Sequence, residues 1–204
     1  MMSRLGKTGS AVVLTDQQLK IVFKTILGGG SVHTDRNYLI IILSHLVGLR
    51  AKELASLPIS AVWDGEKVVD TLRLLGEYTK GNHHRDVPLT NKKVRDAIQK
   101  HITHEMEISG GVVNLTAPLF KSQKGGFLSA NSMVHLIKRI YEDAGFSNAS
   151  SHSGRRKFAT SLIEQGADIN CVKLLMGHSS IQTTAIYFST NPKRLANLMT
   201  NLSM

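Results

Sequence analysis

Cysteine is nearly absent from these 204 residues: Cys171 stands alone. A single thiol excludes an intramolecular disulfide and fits a reducing cytosol, so a cytoplasmic location is expected. Long apolar runs are missing too. The stretch 40–49, IIILSHLVGL, is shorter than a bilayer span and contains His45. No signal peptide or lipidation pattern is evident. Acidic residues are few beside basic ones, 15 against 25, and the net charge is +10. Such a balance speaks to partners rather than to fold, and it favours a polyanion. No basic amphipathic helix with a bulky aromatic face is evident, which places nucleic acid ahead of a membrane surface. The competing reading is a basic protein with no nucleic-acid role. Nucleotide chemistry is not signalled either: no GK[ST] follows Gly28-Gly29-Gly30, so that run reads as a helix stop rather than a phosphate loop.

What is present is mostly helical pattern. Thr15-Asp16-Gln17-Gln18 opens a helix as a capping box, and Leu19, Val22, Phe23 and Ile26 give it one apolar stripe. A second helix from about Thr34 to Leu46 is apolar nearly all round, the pattern of a central buried helix, with Gly48 as its stop. Residues 59–90 change to β character. Asp64-Gly65 is a turn signal, and Thr79-Lys80-Gly81-Asn82 is a second, with a return strand over His84 to Leu89. Asn91 starts a helix with Val94, Ile98 and Ile102 on one face, and residues 106–118 read as a loop. Ser129 or Asn131 caps another helix, with Met133, Leu136, Ile137, Ile140 and Tyr141 at core spacing and Gly145 at its end. The composite is a mainly α fold with a small antiparallel β-sheet, in a chain long enough for one domain with a real core. His83-His84, and His101 with His104 and Glu105, have spacings that could attract a metal. No third ligand cluster accompanies them, so no metal and no cofactor is expected.

Residues 152–187 carry the chemistry. His152 and Arg155 are three apart at a helix start and share a face. His178 follows Gly177, a helix stop, and Ser179 offers the next N-cap. Tyr187 falls near the end of the following short helix. A cation, two imidazoles and a phenol on short helices suit chemistry on a phosphate. Tyr38, Tyr78 and Tyr141 lack such a cation set and read as packing residues instead.

H-x-x-R followed by L-L-M-G-H-S-S-I-x-T-T-x-x-Y resembles the C-terminal signature of the tyrosine recombinase (phage integrase) family. Two further stretches carry the same resemblance. G-L-R-x-x-E-L at residues 48–54 is similar to the family's first arginine motif, and T-K-G-x-x-x-R-x-V-P-L at 79–89 is similar to its lysine-bearing hairpin. The resemblance runs from about residue 12 to 195. It implies the tyrosine recombinase catalytic-domain fold and a catalytic set of Arg50, Lys80, His152, Arg155, His178 and Tyr187, supported by Glu53. In that set Tyr187 is the nucleophile, the arginines and His178 hold the phosphate, His152 assists proton transfer, and Lys80 protonates the leaving 5′-oxygen. The implied reaction is cleavage and rejoining of double-stranded DNA through a 3′-phosphotyrosyl link, which conserves bond energy and needs no cofactor. A type IB topoisomerase and a non-catalytic DNA-binding regulator are the alternatives. The first shares the chemistry, and the second is opposed by the complete set of six residues.

Three departures or extensions qualify the resemblance. Gly154 stands where the family has an apolar residue, which on propensity weakens the helix start by about 1 kcal/mol relative to alanine. Arg156 follows Arg155 directly, so the choice between them rests on spacing. The family's upstream core-binding domain is not represented. This fits either an expressed fragment or a naturally short member resembling the fimbrial phase-switch recombinases. The expected organisation is a lead-in over 1–13, a catalytic domain over 14–190, and a C-terminal helix over 191–204. That last helix has Leu195, Leu198, Met199 and Leu202 on one face. It is expected to pack in cis in a free monomer or to dock on a neighbour in a DNA-bound tetramer.

Overall fold

The computed structural model describes residues 11–76, 84–189 and 200. Its elements follow in order: α1 (Asp16–Gly28), α2 (Thr34–Leu46), α3 (Ala51–Ser56), β1 (Thr71–Leu74), β2 (Arg85–Pro88), α4 (Lys92–Ser109), α5 (Ala130–Asp143), α6 (Ser153–Glu164), α7 (Ile169–Met176) and α8 (Ile181–Ser189). The mainly α expectation with one small antiparallel sheet holds. No helix among the described residues is long and apolar enough to cross a membrane.

The capping box of α1 forms as its residues dictate: Thr15 Oγ1 accepts the Gln18 N–H, and the Gln18 side chain accepts the Thr15 N–H. Helix α2 is the axis of the molecule. Every residue from Leu39 to His45 is buried, because α1, α4, α5 and α6 pack around it. A helix apolar on all sides has no solvent face to offer, so neighbours must enclose it. Around it lies a core that includes Leu54, Leu72, Ile98, Ile137 and Tyr141. A second, smaller core of Phe158, Ala159, Ile163, Val172 and Met176 joins α6 and α7 and receives Tyr187 and Phe188 from α8.

Strands β1 and β2 pair antiparallel, Thr71 with Pro88 and Leu74 with Arg85 at the ends of the register. Alternation puts Leu72 and Leu74 of β1, and Arg85 and Val87 of β2, on the inner face. Arg95 of α4 secures this sheet by donating to the Val68, Val69 and Leu89 carbonyls. The turn containing Lys80 lies outside the described residues, and so do Tyr78, His83 and the C-terminal stripe from Leu195 to Leu202.

Several boundaries differ from the sequence expectation. The Asp64-Gly65 turn forms, with Asp64 Oδ1 accepting the Glu66 and Lys67 N–H groups, but the flanking residues make a single Trp63–Val68 bridge rather than a ladder. Helix α4 continues through Ser109 where a loop from 106 was expected. Its end is satisfied locally: Gly110 takes the left-handed cap, and the Met106 carbonyl accepts from the Gly110 and Gly111 N–H groups. Before α8 the residue that accepts the Gln182 N–H is Ser180, not Ser179.

Gly154 has a packing reason that propensity does not see. A Cβ there would collide with the buried Ser44 hydroxyl and come within 2.7 Å of His45 Nδ1. The first turn of α6 therefore lies directly on α2, and this close approach places Arg155 beside the turn that leaves α2.

Candidate active site

Arg50 is the N-cap of α3, and Glu53 completes the cap: its carboxylate accepts the Arg50 N–H and the Arg50 Nη1–H, each at 2.7 Å. Glu53 is fully buried. Its second cation is Arg85, whose Nη2 donates to Oε2 at 2.9 Å. One carboxylate thus fixes two guanidiniums.

The C-terminus of α7 does the rest. A helix ends in carbonyls with no intrahelical partner and carries the negative end of the macrodipole, so cations are favoured there. The Met176 carbonyl accepts from Arg85 Nη1 at 2.6 Å and from Arg155 Nη2. The Gly177 carbonyl accepts from Arg50 Nη2 at 3.2 Å. Arg155 Nη1 reaches back to the Gly48 carbonyl at 2.5 Å. Gly177 itself has φ +58, and a Cβ on it would lie 2.7 Å from Arg85 Nη1. Glycine here serves both the left-handed cap and the close approach of the arginine.

Three cations around one carboxylate, two of them bonded to it, leave an excess of positive charge in a confined place. Burial pushes Arg155 down to about 9, with Arg50 and Arg85 adding to the effect. It remains a cation at neutral pH, and the cluster is best offset by an anion. The same charges keep the imidazoles neutral. His178 is lowered to about 4, first by burial and then by Arg155, Arg50 and Arg85. His152 is lowered by burial, then by Arg155 and Arg50. His178 Nδ1 is engaged by the buried Thr184 hydroxyl at 2.8 Å, which leaves Nε2 for a ligand.

Tyr187 lies beside these groups. Its ring is nearly parallel to that of His178, with centroids 6.2 Å apart, and the Arg156 guanidinium is 5.9 Å from the ring centre. A groove of about 1140 Å³ is lined by Arg50, His152, Arg155, His178 and Tyr187, with Lys138 among its basic margin. Five of the six residues singled out in the sequence therefore share one groove, with Glu53 behind Arg50. The sixth, Lys80, lies outside the described residues. Arg85, the arginine of T-K-G-x-x-x-R-x-V-P-L, joins this cluster although the catalytic set expected from the sequence does not include it. The available signal was a charged residue on the inward register of a strand.

The other histidine candidates among the described residues, His84, His101 and His104, have structural partners. His101 is buried and its Nε2 contacts the Leu119 carbonyl at 2.8 Å, while His104 faces Asp35 and Glu105 pairs with Lys121. His84 Nδ1 accepts the Gly76 N–H. Tyr141 is wholly buried and Tyr38 packs on Phe23, so both are packing residues.

The pattern of the Phage integrase family matches residues 13–194. Tyrosine recombinase XerC of Pelobacter propionicus is 36% identical over 149 residues, which covers 72% of this chain and 45% of that protein. The chain thus spans about half the length of the curated relatives it matches. Among solved structures, XerA recombinase superposes with a TM-score of 0.74 at 23% identity, over 96% of this chain and 67% of that one. XerH site-specific recombinase bound to its palindromic difH substrate gives 0.71 at 24%, over 98% and 55%. With a pattern that spans nearly all of the sequence, a relative of this identity and a shared fold, the chain belongs to the phage integrase family, the tyrosine recombinases.

Proposed function

We propose that this chain is the catalytic part of a site-specific DNA recombinase that cuts and rejoins strands through Tyr187. One observation carries the reading: Arg50, held by the buried Glu53 carboxylate, and Arg155 open onto the groove that holds the phenol and two neutral imidazoles, with Arg85 buried behind them. A phosphodiester supplies the missing negative charge, and guanidinium forks match its oxygens. Arg50 and Arg155 bind the non-bridging oxygens, and His178 Nε2 donates to one of them. Donors held in advance stabilise charge that grows as phosphorus becomes five-coordinate.

The Tyr187 hydroxyl attacks phosphorus, and its proton passes toward His152, which is neutral and able to accept it. The bond from phosphorus to the 5′-oxygen breaks, and Lys80 supplies the proton that the leaving oxygen takes. The products are a 3′-phosphotyrosyl link and a free 5′-hydroxyl. A 5′-hydroxyl from another strand reverses these steps and restores the diester, so no external energy source enters. Residues 14–190 form the catalytic domain, and the unit works on double-stranded DNA in the bacterial cytoplasm as part of a tetrameric synapse. The 191–204 segment links neighbours in that assembly. The net charge of +10 supports the choice of DNA as partner.

The test is a nicked suicide substrate that traps the covalent product. Wild-type chain is expected to form a DNA adduct that maps to Tyr187. Tyr187→Phe is expected to form none while retaining DNA affinity, because only a hydroxyl is lost. An adduct in the Phe variant would reassign the nucleophile. Binding without any wild-type adduct would favour a non-catalytic regulator, and relaxation of supercoils without strand exchange would favour a topoisomerase.

A further inference from the structure

Arg85 does not line the groove that holds Tyr187; it faces the adjoining space between β2 and α7. Yet its side chain, 4% exposed, touches both supports of the phosphate-facing arginines. Glu53, its partner at 2.9 Å, is the carboxylate that holds Arg50. The Met176 carbonyl, its partner at 2.6 Å, is the acceptor that Arg155 also uses. Arg85 is thus the group common to the two anchorages.

Stability does not account for it. Arg85 occupies an inward position of β2, in alternation with Val87, where an apolar side chain would fit the pattern. Burying a guanidinium there carries a desolvation penalty of several kcal/mol, which ion pairing commonly does no more than offset. Its Nε has no partner among the described residues. The α7 cap is also shaped around it, since a Cβ at Gly177 would lie 2.9 Å from Arg85 Cδ.

We infer that Arg85 is a positioning residue for the cleavage reaction: by bracing Glu53 against the end of α7, it sets the spacing at which Arg50 and Arg155 meet the phosphate. This rests on the function proposed above. Two neighbouring cations repel each other, and each tends to drift toward water. A third, buried cation tied to the same carboxylate and the same carbonyl removes that freedom without touching the substrate. Misplacement of reacting groups by about 1 Å costs on the order of 10²-fold in rate, so the effect falls on the chemical step rather than on binding.

The experiment uses the full chain with Arg85→Met and Arg85→Lys, each alone and combined with Arg50→Ala. Single-turnover adduct formation on the suicide substrate and DNA affinity are measured well below the melting temperature. Met preserves much of the volume, and Glu53 keeps Arg50 as its partner. Lys keeps the charge but cannot donate as a fork to both acceptors, so it carries the test if the Met variant does not fold. The expected result is a loss of about 10–100-fold in cleavage rate with affinity within threefold. In the Arg50→Ala background the further loss is expected to be smaller than in the wild-type background, because only the Arg155 anchorage at the Met176 carbonyl then remains for Arg85 to hold. NMR titration of His178 supplies a readout independent of activity: its protonation midpoint is expected to rise in Arg85→Met, where one of three nearby cations is removed, and to stay low in Arg85→Lys, where the charge is kept. Wild-type cleavage by Arg85→Lys and Arg85→Met, or an equal loss with and without Arg50, would overturn the inference. Failure of the wild-type chain itself to form the Tyr187 adduct would instead overturn the function on which it rests.

Discussion

Adjacent arginines at 155 and 156 look alike in sequence and differ completely in surroundings. Arg155 is buried against the Gly48 and Met176 carbonyls, whereas Arg156 stands over the Tyr187 ring at 5.9 Å. A cation over an aromatic face is worth about 0.5–1 kcal/mol where partly exposed, a factor of two to five in rate. A preorganised donor to a developing anion is worth about 10²–10³. Arg155→Ala is therefore expected to lose about 10²–10³ in single-turnover cleavage and Arg156→Ala less than tenfold; equal small losses would contradict the assignment. Gly154 supplies the second residue-scale prediction. Helix propensity alone says that Gly154→Ala gains about 1 kcal/mol. The methyl group would strike Ser44 and His45, both buried, and overpacking costs about 1–3 kcal/mol. The ring of His45 is also held by its contact with the Ile41 carbonyl at 3.0 Å, so it cannot simply turn aside. Urea unfolding is expected to show no gain and a net loss of up to about 2 kcal/mol, and a stabilised variant would disprove the close packing.

Among the elements, α7 has the most consequential end. It is short, and its N-terminus is capped by Asp168 Oδ1, which accepts the Asn170 and Cys171 N–H groups. Its C-terminus offers carbonyls to three arginines and then turns through Gly177 to present His178. Gly177→Ala tests both duties together. A non-glycine residue in the left-handed region costs about 1–2 kcal/mol. The added Cβ also meets Arg85 Nη1 at 2.7 Å, so the guanidinium must shift. Stability is expected to fall by at least the backbone cost, and cleavage by more than tenfold at temperatures where the variant is folded. Normal cleavage by a destabilised but folded variant would separate the cap from the site.

At the scale of the whole molecule, the folded chain refuses protons that the unfolded chain accepts. Burial lowers His45 to about 4, and burial with three arginines lowers His178 to about 4, against an ordinary value near 6.5. Between those limits the unfolded state binds more protons, so stability rises with pH. The stability these histidines contribute is complete above about pH 6.5 and is lost as pH falls toward 4. For the buried His45 the slope approaches about 1.4 kcal/mol per pH unit, and for the half-buried His178 solvent reduces it. Urea midpoints measured from pH 7.5 to 4.5 are expected to drop through this window, and a flat profile would show that neither imidazole is held neutral. A bound phosphate acts in the opposite direction on His178, because it offsets the arginine charges. Added duplex DNA is therefore expected to shrink the part of the loss that His178 causes between pH 6.5 and 4.

Local grammar settled much of this molecule in advance. The capping box of α1, the all-round apolar face of α2, and the helix over residues 153–164 with His152 and Arg155 one turn apart depend on neighbours a few residues away. So do the stop at Gly177 and the short helix that carries Tyr187. Such features are written in spacing and survive whatever the rest of the chain does. Other features depend on residues far along the chain. Arg85 gains its place from Glu53 and Met176, 32 and 91 positions away. Gly154 is explained by Ser44 and His45 on the helix beneath it, and Arg155 is told from Arg156 by the carbonyls of Gly48 and Met176. The sequence by itself determined which elements form and which side chains could do chemistry on a phosphate. Tertiary structure alone decided which cations share a carboxylate and how they are spaced, because burial and Coulomb interactions act through space, between groups that only the packed fold brings together.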